Sequence, residues 1–197
     1  MGDLAIERVV GAGIAEHLGA IAALRIAVFR EYPYLYAGTE AYERTYLATY
    51  AASADSLVVL ARDGDRVVGA ATAMPLVQHS EAVLPPLAAA GYAPERVFYF
   101  GESVLDPAYR GRRIGDAFFA HREAHARERG FGVAAFCAVV RPDGHPRRPP
   151  GYRPLARMWE RHGFVARPDV MATFSWRDLD DAEETPKPMM FWVKDLT

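Results

Sequence analysis

The chain has 197 residues, 51% of them apolar, and a formal net charge of −2. That length supports one ordinary domain, residues 1–197, with a real core, and one cysteine excludes an internal disulfide framework. No run approaches the roughly 18 consecutive apolar residues of a membrane span and no cationic-then-apolar leader opens the chain, so we expect a cytoplasmic protein with no membrane partner.

Charge is unevenly placed. Residues 96–167 hold 14 arginines against seven acids, while the rest carries nine bases against 18 acids. Such asymmetry suggests an anionic ligand held by the central region. A nucleic-acid binder would want an overall basic domain, and the pI near 6.3 argues against that partner.

In chain order, Leu4–Val10 alternates as a first strand. Ile14, Leu18, Ile21, Leu24 and Val28 then recur at helical spacing. Pro33 and Gly38 break that helix, and a second follows with Tyr42, Tyr46 and Tyr50 on one face. Residues 56–62 and 66–76 are apolar runs joined by Asp63-Gly64-Asp65, a hairpin signal. Residues 80–94 suggest a short helix in a long connection. A strand over Val97–Leu105 precedes a helix from about 115 to 129, which Gly130 stops. A buried strand over 132–140, an irregular Pro-rich stretch over 141–154 and a short helix over 155–162 follow. The chain closes with a strand over 170–176, an acidic loop over 178–188 and a last strand over 189–193.

The most informative stretch is Val104-Leu-Asp-Pro-Ala-Tyr-Arg-Gly-Arg-Arg-Ile-Gly115, a strand breaking into a basic, glycine-containing turn that opens a helix. Such a turn aims backbone N–H groups and a helix N-terminus at one point, which attracts phosphate. A P-loop would need Lys-Ser/Thr after its last glycine, and Asp116-Ala117 stands there. Gly11-Ala-Gly13 lacks the third glycine of a dinucleotide fingerprint, with Glu16 in its place. His121 and His125 have zinc-like spacing but no third ligand, so we read a solvated helix face and expect no metal.

Arg110-Gly-Arg-Arg-Ile-Gly115 resembles the signature loop of the GNAT superfamily of N-acetyltransferases, Arg/Gln-x-x-Gly-x-Gly/Ala, with Arg113 standing where the pattern prefers its first glycine. Ala156-Arg-Met-Trp-Glu-Arg-His-Gly-Phe164 resembles the family's closing motif, a short helix ending in Gly-Phe. The element order β-α-α-β-β-β-α-β-α-β-β is also similar. The resemblance implies an α/β (α+β) fold: a mixed, mostly antiparallel central sheet flanked by helices. It implies acetyl-CoA as co-substrate, an acetyl group passed directly to a primary amine, and a possible homodimer.

By that resemblance, the phosphates would sit on Arg110, Gly111, Arg112, Arg113, Ile114 and Gly115. The pantetheine arm would bond to backbone near Ser103, Val104 and Leu105, beside a bulge suggested by Gly101. Glu102, a carboxylate in an apolar strand, is the candidate general base, directly or through a water; an arginine-paired structural carboxylate is the other reading. Simple alternation would group residues 99, 101, 103 and 105 on one face. Trp159 occupies the usual place of an acidic tyrosine, so Tyr152 is the candidate acid or else a loop aromatic. Tyr34, Tyr36 and Tyr99 would wall the acceptor pocket. Arg141, His145, Arg147, Arg148 and Arg153 would either hold a substrate anion or form a solvated loop. Cys137 reads as core. The acceptor, a small amine or a peptide, stays open, as do another acyl-CoA donor and a non-catalytic acyl-CoA-binding sensor.

Overall fold

The computed structural model describes residues 4–79 and 82–197. The strands are β1 (Leu4–Val10), β2 (Leu57–Asp63), β3 (Arg66–Pro75), β4 (Val97–Leu105), β5 (Val133–Val139), β6 (Val165–Trp176) and β7 (Thr185–Asp195). They form one sheet in the order β1-β2-β3-β4-β5-β7-β6. Every neighbouring pair is antiparallel except β4 and β5. Those two run parallel because a helix crosses between them.

Five helices complete the described fold: α1 (Leu18–Phe29), α2 (Glu40–Ala52), α3 (Leu84–Ala89), α4 (Ile114–Glu128) and α5 (Ala156–Arg161). Thr39 caps α2 by accepting from the Tyr42 N–H, and Glu40 and Glu43 in its first turn suit the helix dipole. Gly64 takes a positive φ of 58° in the two-residue loop between the paired Asp63 and Arg66, which closes the β2–β3 hairpin as the sequence leads one to expect.

Each face of the sheet is covered by different helices. Ile14, Ile21, Leu47 and Tyr50, all with no exposure, pack on Val58, Leu60 and Val104 on the α1–α2 face. Phe118 and Phe119 of α4 join Phe98, Phe100, Phe136 and Phe164 on the other face. Full burial of each such side chain contributes about 1.5–3 kcal/mol.

Several boundaries move. The first helix opens as a 3-10 turn over Gly11–His17, with Gly11 at a φ of 51°, and becomes α-helical only at Leu18. The sixth strand begins at Val165 and the seventh at Thr185, so the acidic loop shrinks to 177–184. His125 is not solvated: it is 4% exposed, faces the Phe98 ring and pairs its Nε2 with the Asp55 carbonyl. Gly11–Phe29 is, by length and composition, apolar enough to cross a membrane, which the count of consecutive apolar residues did not reveal. In this fold it buries Ile14, Ile21, Ala22 and Arg25 against its neighbours.

Candidate active site

The sheet is parted at its centre. β4 and β5 pair only over Val97–Tyr99 and Val133–Ala135, then diverge, leaving the facing backbone edges of both strands open. On its other side β4 carries a bulge. Ala71 pairs Ser103 but Ala73 pairs Phe100, so three steps on β4 oppose two on β3. The extra residue resets the alternation: Phe98, Phe100 and Leu105 pack on the α4 side, whereas Val104 lies with α1 and α2 and Glu102 pairs with α1. The bulge that Gly101 suggested thus breaks simple alternation beyond Phe100 and fixes the direction of Glu102 that alternation alone left open.

Gly101 sits at that bulge. A Cβ there would overlap the Tyr50 hydroxyl and Thr72 Oγ1, so the position is glycine because of its own chain's neighbours. Thr72 Oγ1 also accepts the Glu102 N–H at 3.2 Å. Arg122, 2% exposed, reaches over from α4 and donates to the carbonyls of Phe118, Thr72 and Glu102 and to Ser103 Oγ. These bonds satisfy carbonyls that the bulge takes out of the ladder. Burial pushes the Arg122 guanidinium down to about 9, with Glu102 opposing that shift.

Glu102 points into a buried cluster on the α1–α2 side. Arg25 of α1, 8% exposed, bridges Glu102 Oε2 at 2.5 Å and Glu43, which is fully buried. The guanidinium lies over the Tyr46 ring at 4.4 Å. Burial works against the charge on Arg25, but Glu102, Tyr46 and Glu43 outweigh it and hold it firmly protonated. From Glu102 a chain of hydroxyls leads away: Tyr46 Oη donates to Oε2 at 3.2 Å, meets Tyr50 Oη at 3.0 Å, and Tyr50 Oη lies 3.5 Å from His79 Nε2. Burial pushes His79 down to about 4, so it is neutral at pH 7. It raises the Tyr46 and Tyr50 hydroxyls, and both keep their protons. Glu102 Oε1 is buried without a partner.

A cavity of about 920 Å³ runs through this region. Beside the gap between β4 and β5, a wedge-shaped opening between the two strands, it is lined by Ser103, Phe119, Arg122, Phe136, Met158 and Trp159. The rest of its lining, a chamber on the other side of the bulge, includes Tyr34, Tyr36, Tyr46, His79, Tyr99 and Trp176. The three tyrosines named from the sequence, Tyr34, Tyr36 and Tyr99, all line it. Cys137 lines it as well as being 7% exposed; its thiol meets Tyr99 Oη at 3.0 Å and is pushed up to about 12 by burial. Tyr152 lies edge-on to Tyr32 at 4.7 Å in the cavity wall, with its hydroxyl raised by burial and by Tyr32. Trp159 packs on Phe136 and Trp192.

Of the arginines of the 141–154 loop, the Arg141 side chain is buried in its pairing, whereas Arg147 and Arg153 are exposed and Arg148 partly so, as the solvated-loop reading expects. Arg141 donates to the Pro33 and Tyr34 carbonyls and pairs with Asp178 at 2.8 Å. Arg148 pairs with Asp143 at 2.8 Å, and Arg147 pairs with Asp180. The Arg141 contacts fasten the loops around the chamber. His145 faces Tyr32 at 5.7 Å, and Arg153 is exposed and does not line the cavity.

The turn before α4 lies outside the cavity lining, at the end of β4. Gly111 and Arg113 take φ values of 77° and 62°. Arg113 thus holds the left-handed conformation that the expected glycine adopts without strain. Among the described residues, no backbone or side-chain acceptor meets the N–H groups of residues 111–116, whereas Ala117 already bonds back to Arg113. Six consecutive open donors at a 15-residue helix are a cradle of the kind that binds phosphate. Arg110 leans on Glu31 at 2.8 Å and Arg113 on Asp116 at 3.1 Å; Arg112 lies over the Tyr109 ring. All three are surface pairs or contacts that a phosphate can displace. Ser103 faces Arg122 and the cavity, while the Val104 and Leu105 side chains pack into the core, so only their backbone is available to a ligand. No group of three or more metal-ligating side chains gathers among the described residues.

Sequence reasoning missed Arg25, Glu43, His79 and Arg122. Arg25 and Arg122 stand four residues after Ile21 and Phe118, on the apolar stripes of their helices, and a charge there is the signal that could have found them. His79 sits in an irregular segment with no motif.

The acetyltransferase (GNAT) family model matches residues 21–164. No curated protein sequence matches the chain. Among solved structures, the chain is similar to ribosomal-protein-alanine N-acetyltransferase from Brucella melitensis (15% identity, TM-score 0.61, 97% of this chain and 99% of that one). It is also similar to an N-acetyltransferase from Staphylococcus aureus Mu50 (14%, 0.60, all of both chains). A third is yncA of Salmonella typhimurium, named as an acetyltransferase and solved with its cofactor acetyl-CoA (11%, 0.59, 98% and 94%). At these identities the likeness carries the fold, and the family match carries more: with its parted β4 and β5 and its open cradle, this chain belongs to the GNAT family of acetyltransferases.

Proposed function

We propose that the protein transfers the acetyl group of acetyl-CoA directly to a primary amine, with Glu102 as the final proton acceptor. The observation that carries this reading is the position of the bulge: it turns Glu102, which shares a cavity lining with Ser103 beside the β4–β5 gap, toward Arg25 and Tyr46. The open N–H groups of 111–116 fit the phosphates of acetyl-CoA, and the unpaired edges of β4 and β5 fit its amide-bearing arm. When bound, acetyl-CoA supplies the activated acetyl group.

The remaining chemistry belongs to side chains of this protein. Glu102 Oε2 is covered by Arg25 and Tyr46 and Oε1 is buried, so the carboxylate does not touch the acceptor directly. A proton leaving the amine enters at the chamber side, on His79, and passes through the Tyr50 and Tyr46 hydroxyls to Glu102 Oε2. Burial holds His79 neutral at pH 7 and makes it a weak base, so it relays the proton onward to the hydroxyls and does not keep it. Arg122 places positive charge beside Ser103, where negative charge develops during transfer. Tyr152, which keeps its proton, serves as the acid toward the departing thiolate. Direct attack is favoured over an acyl-enzyme because Cys137, at about 12, is not a thiolate near neutral pH. Trp159 supports a second reading, a non-catalytic acyl-CoA sensor, and turnover separates the two.

Glu102→Gln tests the assignment. It should lower kcat by about a hundredfold or more while acetyl-CoA affinity stays within about twofold. Unchanged turnover removes Glu102 from the mechanism.

A further inference from the structure

The chamber beyond the bulge differs from the wedge in its chemistry. Its walls are Phe29, Tyr34, Tyr36, Tyr42, Phe174 and Trp176, drawn from α1, the 30–39 segment, α2 and β6. Their rings are already arranged in contact: Phe29 with Tyr34 at 4.6 Å, Tyr34 with Trp176 at 6.0 Å, Tyr36 with Tyr42 at 6.4 Å. A flat apolar body entering between them gains ring contacts on several sides.

Charge in the chamber is spent internally. Arg25 is shared by Glu43 and Glu102, Arg141 is held by Asp178 and two carbonyls, and Arg148 is on Asp143. Arg122 is committed to the bulge on the wedge side. Arg177, the remaining arginine in the lining, is exposed at the rim, and the exposed Glu183 and Glu184 share that rim. A carboxylate carried beside the amine would lie close to Glu102, where Arg25, Arg122 and Arg141 are little exposed and already committed. Only Arg148 and the exposed Arg177 stand open to an anion, on the solvent-facing part of the lining. An ammonium meets the opposite situation: aromatic faces, the neutral His79 and the carboxylate cluster.

We infer that the acceptor is a primary amine carrying an aromatic or similarly flat apolar body and no carboxylate beside the amine. This inference rests on the acetyl-transfer reading above and narrows it to a substrate class. An amino acid fails on its carboxylate, and a linear polyamine lacks the ring the walls receive.

Calorimetric binding to the full chain, without acetyl-CoA, tests the class independently of turnover. Phenethylamine should bind at least about thirtyfold tighter than phenylalanine, because a buried carboxylate without a partner is strongly disfavoured. It should also bind tighter than putrescine. Tyr42→Ala should weaken phenethylamine about threefold to tenfold; Tyr42 is 58% exposed, so the fold tolerates the change. Phenylalanine or putrescine binding as tightly as phenethylamine overturns the inference, and so does the absence of binding by all three. Whether acetyl-CoA binds and turns over is read separately and bears on the transfer reading alone.

Discussion

Gly101→Ala perturbs the site at the point where β4 changes phase. The added methyl would overlap Tyr50 Oη and Thr72 Oγ1, and both residues are fully buried. Neither can step aside cheaply: Tyr50 is packed among Ile14, Leu47 and Met74, and Thr72 Oγ1 holds the Glu102 N–H. Gly101 has no positive φ, so sterics alone set the cost. Overpacking of this kind costs about 1–3 kcal/mol, and two rigid obstacles place this case near the upper end. For a chain of this size that lowers Tm by roughly 6–12 °C. Urea unfolding of parent and variant measures it, and Tyr50→Phe in the Gly101→Ala background should recover about 1 kcal/mol by removing one obstacle. A Gly101→Ala variant within about 0.5 kcal/mol of the parent refutes the packing assigned to the bulge.

Arg113→Gly should not destabilise the protein. Arg113 holds a φ of 62°, which costs a non-glycine residue about 1–2 kcal/mol, and glycine's larger unfolded-state entropy offsets roughly half of that. Urea unfolding should show a change between zero and about 1 kcal/mol in favour of the variant; a clear loss contradicts the left-handed turn. His79 gives stability a pH dependence. The unfolded chain protonates this imidazole near its ordinary value of 6.5, whereas the folded chain holds it neutral down to about 4. Stability is therefore full above pH 6.5 and declines as pH falls toward 4, by about 3 kcal/mol in all. His79→Asn should flatten that part of the urea-midpoint profile, and an unchanged slope assigns the acid loss elsewhere.

Much of the frame was legible because it is encoded locally. Asp63-Gly64-Asp65 makes a hairpin through backbone conformation, and Arg110–Gly115 makes a cradle through a glycine turn and a helix start. Glu102 stood out as a charge in an apolar strand. What stayed hidden depends on contacts between distant residues. The direction of Glu102 follows from a bulge that packs against Tyr50 and Thr72, neither adjacent to it in sequence. Arg25 marks an apolar stripe, but its partners Glu43 and Glu102 lie on other elements, and the structural role of Arg141 depends on a carboxylate 37 residues on. The short helix over Leu84–Ala89 was legible from Pro85 and its alanines. The start of β6 at Val165 was not, because Pro168 interrupts the strand pattern there.

The most direct measurement is thermal unfolding of the full chain with and without acetyl-CoA, with adenosine as control. Ligand at about a hundred times its Kd adds roughly 2.7 kcal/mol, which for a chain of this size is a rise in Tm of about 5–11 °C. A rise with acetyl-CoA and none with adenosine is the predicted result, since the cradle and the β4–β5 gap act together. No rise at millimolar acetyl-CoA contradicts the proposal that this gap holds the acetyl donor.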